Sequence, residues 1–344
     1  MNRFYEINNY IMKQENDSSA ILVRRQFDTA ENSGMIRNIV TDIRDSSHLS
    51  EDERKIVVAG VPQWDVANAA FYEPFFKQQR IIILGAGHIA VMLSMLAKMI
   101  GMHVIVIDDR ADFADAKRFP YADEVICSSF YDGIDRVKPC KTDYVVIITR
   151  GHANDIECLE SLMNYEETVY TGLMGSKRRV TTVLQQLKDM GYDAARLDRI
   201  HSPIGLNIGA KTIEEIDISI ISEIIKVRRI DSVLCDAVDR GDHDYGELLK
   251  LAEINLPCSV ATILSAEGST PRSAGAVMAV FADGTIIGSI GGGCAEAAVI
   301  HRAKSIIGTG KYEIMKVSLD NKSAMQEGMI CGGTIDVLVE DFPI

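Results

Sequence analysis

The chain has 344 residues, 47% of them hydrophobic and 25% charged, with a formal net charge of −13. That length and apolar content suit two domains with substantial cores and exclude a repeat array or a disordered chain. The acidic balance opposes non-specific attraction to phosphate backbones, so nucleic acid is not expected as a partner.

The first twenty residues lack an apolar core flanked by basic residues, which argues against a signal peptide. No apolar run approaches the roughly 20 residues needed to span a bilayer, so no membrane association is expected. The seven cysteines form an odd set with no Cys-x-x-Cys pair. That usage suits reduced thiols and a cytoplasmic location. The histidines are equally scattered, and a structural zinc site is not expected.

Residues 1–79 are mixed, with strand-like Ile21–Val23 and Ile56–Val58 separated by polar sequence without a clear period, and no role is assigned to them. From Arg80 the pattern becomes apolar strands alternating with helix-length segments, the rhythm of a parallel sheet covered by helices. Ile81–Leu84 reads as a buried strand, followed by a helix whose apolar face is Ile89, Leu93, Leu96, Ala97 and Ile100. Further strands are expected at His103–Ile107, Tyr144–Ile148 and around Thr168–Tyr170. Thr212 and Glu215 have capping-box spacing ahead of an isoleucine-rich helix that closes this domain near residue 230. Residues 231–244, rich in Asp and Gly, read as a linker. A second domain, 245–344, has strands expected at Ser259–Leu264, Val277–Phe281, Thr285–Ile290, Tyr312–Val317 and Thr334–Val339, with a helix over Ala295–Ile307. The expected architecture is a Rossmann-like, doubly wound parallel sheet over 80–230 plus a smaller α+β domain.

Gly85-Ala-Gly87-His88 lies between a strand and a helix, where glycines allow a tight turn and let backbone amides approach a pyrophosphate. Asp108 ends the next strand, where a carboxylate can accept from a ribose diol and repel a 2′-phosphate. This favours NAD over NADP, although the same glycines could merely shape an empty turn. Arg150-Gly-His152, Gly172-Leu-Met-Gly175-Ser176-Lys177-Arg178-Arg179 and His201-Ser-Pro-Ile-Gly205 are expected to join this loop beyond the strand ends. Arg178 and Arg179 read equally well as a solvated helix face.

In the second domain, the turn Gly268-Ser269-Thr-Pro-Arg272 presents a hydroxyl and a guanidinium to an anion. Gly291-Gly292-Gly293-Cys294-Ala-Glu296 leads into a helix whose N-terminus would stabilise an anion or lower the thiol pKa of Cys294. Cys331-Gly-Gly333 offers a second thiol in a permissive loop. Both cysteines could instead be small buried hydrophobes.

These motifs together, with Asp108-Asp-Arg110 and Thr149-Arg-Gly-His152, resemble the XdhC/CoxI family of accessory factors for xanthine dehydrogenase and related molybdenum hydroxylases. The resemblance covers residues 81–229 and 256–340, with the two family domains in reversed order. It implies a maturation factor rather than an enzyme, one that binds molybdenum cofactor, supports exchange of a terminal oxo ligand for sulfide, and delivers the cofactor to an apo-enzyme. The implied partners are the molybdenum hydroxylase, a cysteine desulfurase and a second copy of the chain. Cys331 and Cys294 are the candidate sulfur or molybdenum contacts. Gly85, Gly87, His88, Asp108, Arg110, Arg150, His152, Gly175, Ser176, Lys177, His201, Gly205, Ser269, Arg272, Gly292, Gly293 and Glu296 are the candidate cofactor-binding set. The cofactor is expected as molybdopterin or its dinucleotide form, with NAD as the other dinucleotide. Two other readings stand beside this one, an NAD-dependent oxidoreductase and a persulfide carrier.

Overall fold

The computed structural model describes residues 3–11, 20–27, 36–43, 48–231, 241–318 and 333–342. These fall into two compact units. One lies within Gln78–Val238, and the other joins the residues up to Lys77 to those within Asp239–Ile344. Among the described residues no helix is long and apolar enough to cross a membrane.

The chain begins with α1 (Arg3–Ile11), β1 (Ala20–Phe27) and β2 (Ile36–Asp42), followed by α2 (Glu51–Ala59), β3 (Gln63–Asp65) and β4 (Ala70–Phe76). The strands form an antiparallel sheet in the order β2-β1-β4-β3. The strand expected at Ile56–Val58 is instead the end of α2. Ser50 and Glu53 form a reciprocal capping box, and Gly60 closes the helix in the left-handed region. The capping signal outweighs the β propensity of three consecutive branched residues, of which only Ile56 and Val57 are buried.

The parallel unit runs β5 (Arg80–Leu84), α3 (His88–Met99), β6 (His103–Asp108), β7 (Glu124–Cys127), α4 (Phe130–Val137), β8 (Tyr144–Ile147), α5 (His152–Leu162), β9 (Tyr170–Leu173), α6 (Lys177–Asp189), α7 (Ala194–Leu197) and α8 (Ile213–Lys226). The strand order is β7-β6-β5-β8-β9, all parallel. Strands buried on both faces read as continuous apolar runs, and Ile81 to Leu84 are all wholly buried. Successive side chains divide between two cores: Ile81 and Ile83 face α3 and α8, while Ile82 and Leu84 face α4, α5 and α6. The expected capping box of α8 is present at Thr212 and Glu215.

The chain then forms α9 (Tyr245–Ala252), β10 (Cys258–Gly268), β11 (Val277–Phe281), β12 (Ile286–Gly288), α10 (Gly293–Ile306), β13 (Tyr312–Ser318) and β14 (Gly333–Phe342). Its sheet is antiparallel in the order β12-β11-β10-β14-β13. The sequence pattern separates residues 1–79 from 245–344, but the structure makes them one unit. Phe4, Ile7, Val23 and Phe75 share a core with Tyr245, Leu251, Val260 and Phe342. Arg3 and Arg25 both donate to Glu340, each at 2.6 Å. Burial would raise the Glu340 pKa, but the Arg25 and Arg3 charges outweigh it and hold the carboxyl below its ordinary range. Such pairing across more than 300 residues leaves no trace in local periodicity. Of the expected linker, residues 231–244, the described end is likewise built in: Asp242 accepts from Arg272, His243 stacks on Phe75, and Asp244 caps α9.

Candidate functional site

The parallel sheet starts at β5, extends to one side through β6 and β7, then crosses to β8 and β9 on the other. The switch point therefore lies between β5 and β8, where ligands of open parallel sheets bind beyond the strand ends. Three adjacent strands, β5, β8 and β9, each pass through a short loop into a helix, and the helices are capped by Gly87, Gly151 and Ser176. Their N-termini, with positive dipole ends and with no side-chain cap on α3 and α5, make this edge receptive to anions.

The two glycines of the first loop have different tasks. Gly85 has φ +113°, and a Cβ there would stand 2.6 Å from the Ile148 carbonyl oxygen. It is needed because the loop presses against the exit of β8. Gly87 has φ −70°, and a Cβ would meet nothing within 4 Å. The space in front of it is open for close approach of a phosphate.

Asp108 does not keep the ribose role expected of it. It is 1% exposed, and its carboxylate accepts four hydrogen bonds: Oδ2 from the Ala86 amide (2.7 Å) and Arg110 Nη2 (2.8 Å), Oδ1 from the Arg110 amide (3.0 Å) and Nε (2.8 Å). A carboxylate has about four acceptor positions, so none remains for a ribose. Burial pushes its pKa up, but the Arg110 and Ala86 donors prevail and hold it at about 2. Asp108 and Arg110, the latter stacked 3.6 Å over the Phe113 ring, are braces of the glycine loop.

Arg150, after β8, forms a bidentate pair with Asp109, after β6, at 3.0 and 2.7 Å. Because β6 and β8 flank β5, this pair spans the end of β5 and its glycine loop. Both side chains are part-exposed, so the pair is weak and a ligand phosphate can take the guanidinium from Asp109. His88 and His152 are the exposed first residues of α3 and α5, and Lys177 is the exposed first residue of α6.

Arg179, read equally as a solvated cation, is in fact tied down. Its Nε donates to Asp155 (2.7 Å), whose other oxygen accepts from Thr149 Oγ1 (2.6 Å). Asp155 is wholly buried, and the trio locks the β8 exit to α6. Sequence reading missed Asp155 because its role depends on a partner 24 positions away. Gly175 and Ser176 complete this edge, where the Ser176 hydroxyl caps α6.

His201 and Gly205 were expected to join the glycine loop, but their contacts lie elsewhere. His201 Nδ1 lies 3.3 Å from Glu223, and its ring packs 4.6 Å from that of Tyr170. The Gly205 amide donates to the same Glu223. A Cβ on Gly205 would stand 2.4 Å from Ser219 Oγ. His201 also bridges to β9, its amide donating to the Thr171 carbonyl and its carbonyl accepting from the Leu173 amide, so this segment fastens α8 along β9.

In the antiparallel unit the glycine motifs do converge. A Cβ on Gly291 would lie 2.4 Å from Pro271, and one on Gly333 would lie 3.0 Å from the Ser269 carbonyl oxygen. The charges here are already partnered. Glu296 accepts from Ser289 Oγ (2.7 Å) and from the amides of Ile290 (3.1 Å) and Gly292 (3.0 Å). Although burial raises its pKa, these donors lower it below the ordinary range. The Gly292 and Gly293 turn is therefore held by its own helix, so Glu296 acts here as a brace. Arg272 donates to Asp242 (2.9 Å) and lies 3.9 Å from Glu247. Burial, with Asp244 beside it, pushes the Glu247 pKa up to about 7. Ser269 is exposed. Cys331 and the Cys294 side chain lie outside the described residues. Among the described residues no group of three or more His, Cys, Asp or Glu is placed to hold a metal ion.

The comparisons with known proteins fall on these same loops. The model of the XdhC Rossmann domain matches residues 81–224, and that of the XdhC and CoxI family matches residues 251–318. An Escherichia coli protein, uncharacterised YqeB, is 29% identical over 163 residues, 47% of this chain and 30% of its own length. A Bacillus subtilis protein, named as a probable subunit of xanthine dehydrogenase, is 29% identical over 181 residues, 53% of this chain and 52% of its own. A crystal structure of a Bacillus halodurans protein named as a xanthine dehydrogenase matches with TM-score 0.50 and 26% identity, covering 64% of this chain and 62% of that one. The chain thus spans less than two thirds of each. It belongs to the XdhC and CoxI family, with the Rossmann domain ahead of the second family domain.

Proposed function

We propose that this protein is an accessory factor in the maturation of a molybdenum hydroxylase of the xanthine dehydrogenase kind, and that it binds molybdenum cofactor and assists its sulfuration and insertion. The observation that carries this reading is the open face of Gly87 among three helix N-termini at the β5/β8 switch point. That edge fits the phosphate or pyrophosphate of a pterin cofactor or its dinucleotide form. Gly85 and Gly87 would admit the group, Arg150 and Lys177 would neutralise it, and Asp108 with Arg110 would hold the loop in shape. When bound, the cofactor supplies the molybdenum centre; the thiols of Cys331 and Cys294 are the chain's candidates for delivering sulfur. The hydroxylase apo-enzyme and a cysteine desulfurase are the partners this role requires. An NAD-dependent oxidoreductase is less well supported, because Asp108 has no acceptor position left for the ribose diol that suggested it.

The test is to isolate the full chain from molybdenum-replete cells and measure bound molybdenum and pterin, with Gly87→Leu and Cys331→Ala alongside. Retention by the native chain, lost in Gly87→Leu, supports the reading. Loss of sulfur transfer with retained pterin in Cys331→Ala separates sulfuration from binding. Absence of molybdenum and pterin from the native chain would overturn it.

A further inference from the structure

A cavity of about 360 Å³ opens in the parallel unit between the end of α5, the start of β9, α7 and the end of α8. It lies where β9 begins, whereas the glycine loops lie where the strands end. Its volume is within the range of small-molecule sites. One wall is apolar, made by Leu159, Leu162, Met163, Val169, Ile200 and Val227.

Arg196, Arg199, His201 and two threonines also line the cavity, with Glu167 the one carboxylate among the lining residues, while His201 is held by Glu223 behind it. Glu167 is spent on a bidentate pair with Arg199. Arg196 has no carboxylate partner among the described residues. Its Nη atoms donate to the carbonyl oxygens of Leu162, Tyr165 and Glu166, and its Nε–H meets no acceptor among the described residues. The end of the α5 dipole offsets part of the Arg196 charge. Burial, with the Arg199 charge beside it, lowers the Arg196 pKa more than Glu167 and Asp193 raise it. An apolar wall beside an under-neutralised guanidinium disfavours both a bare inorganic anion and a neutral hydrocarbon.

We propose that this cavity is a second binding site, distinct from the switch point, for a small organic acid with an apolar body and one carboxylate or sulfonate group. The proposal stands independently of the accessory role.

Anilinonaphthalene sulfonate and the neutral phenylnaphthylamine, titrated against the full chain by fluorescence, test it. The expected result is saturable, one-to-one binding of the sulfonate, about tenfold tighter than the neutral dye. Met163→Trp, placed to fill the cavity, removes that binding while the thermal midpoint is kept. Arg199→Gln, at the half-exposed rim, weakens the sulfonate by roughly three- to tenfold and leaves the neutral dye unchanged. Excess pyrophosphate does not displace the dye. Absence of saturable binding, equal affinity for the two dyes, unchanged binding in folded Met163→Trp, or displacement by pyrophosphate would each overturn the proposal. If Met163→Trp does not fold, the dye pair and Arg199→Gln still decide.

Discussion

Two turns in this molecule have the same local script, a strand, a glycine run and a helix. After β5, the carboxylate that braces the turn comes from a neighbouring strand: Asp108 takes the Ala86 amide and leaves α3 without a side-chain cap. After β12, the carboxylate comes from the helix itself, and Glu296 folds back onto the amides of Ile290 and Gly292. The first turn is left open to an anion, and the second is already satisfied by one. A glycine-rich turn before a helix is thus a permission for anion binding, and the position of the nearest carboxylate decides which of its amides stay available.

The units differ also in what holds them, and the largest expected effect tests that. Glu340→Gln leaves Arg3 and Arg25 buried with a weakened partner, and should cost about 3–5 kcal/mol. Trp64, the chain's one tryptophan, packs edge-on against Phe27 in this unit, so its fluorescence in a urea titration reports the loss locally. Because the folded Glu340 pKa is depressed, its contribution is present above the ordinary carboxylate pKa and lost as pH falls through the folded value. Native protein should therefore show an acid transition in Trp64 emission that the variant lacks. An unchanged urea midpoint would mean that the charge network is dispensable.

Next in size is a pair of substitutions in one loop. Gly85→Ala, at φ +113° and against the Ile148 carbonyl, should cost about 2–3 kcal/mol. Gly87→Ala should change stability by less than about 0.5 kcal/mol yet weaken pyrophosphate binding measured by calorimetry. Equal destabilisation by both would dissolve the distinction between the glycine that builds the turn and the one that faces the ligand.

Asp217 on α8 is wholly buried with neither carboxylate oxygen hydrogen-bonded, and burial, with Glu214 nearby, pushes its pKa up to about 7. A raised carboxyl pKa means the folded state binds more protons, so stability falls as pH rises from about 4 to 7. Asp217→Asn should remove that slope and raise stability at neutral pH by about 1–2 kcal/mol, read by thermal denaturation across the range. A variant less stable than native at pH 7 would show that the carboxylate has a partner. The smallest effect is expected from Asp109→Asn. It releases Arg150 over the glycine loop and should tighten pyrophosphate binding about two- to fivefold by calorimetry. Weaker binding would show that Asp109 positions the guanidinium instead of competing for it.

The sequence by itself determined the parallel unit, because doubly buried strands are apolar runs and helix caps are local signals, as at Ile81–Leu84 and at Thr212 with Glu215. It also determined the candidate loops, since glycines at strand-to-helix turns stand out one by one. It did not reveal that Ile56–Val58 belongs to a helix, although the capping box at Ser50 and Glu53 was there to be read. Only the tertiary structure decided which charged residues are free. Asp108 turned from ligand to brace, Arg179 from solvent to a buried aspartate, and His201 from the glycine loop to Glu223. Only the tertiary structure joined the first 77 residues to the last hundred, through Glu340 and its two arginines. The reason is the range of the interactions: backbone preference and apolar period act over a few residues and are written along the chain. The partner of a charge is set by which distant segments folding brings within about 3 Å.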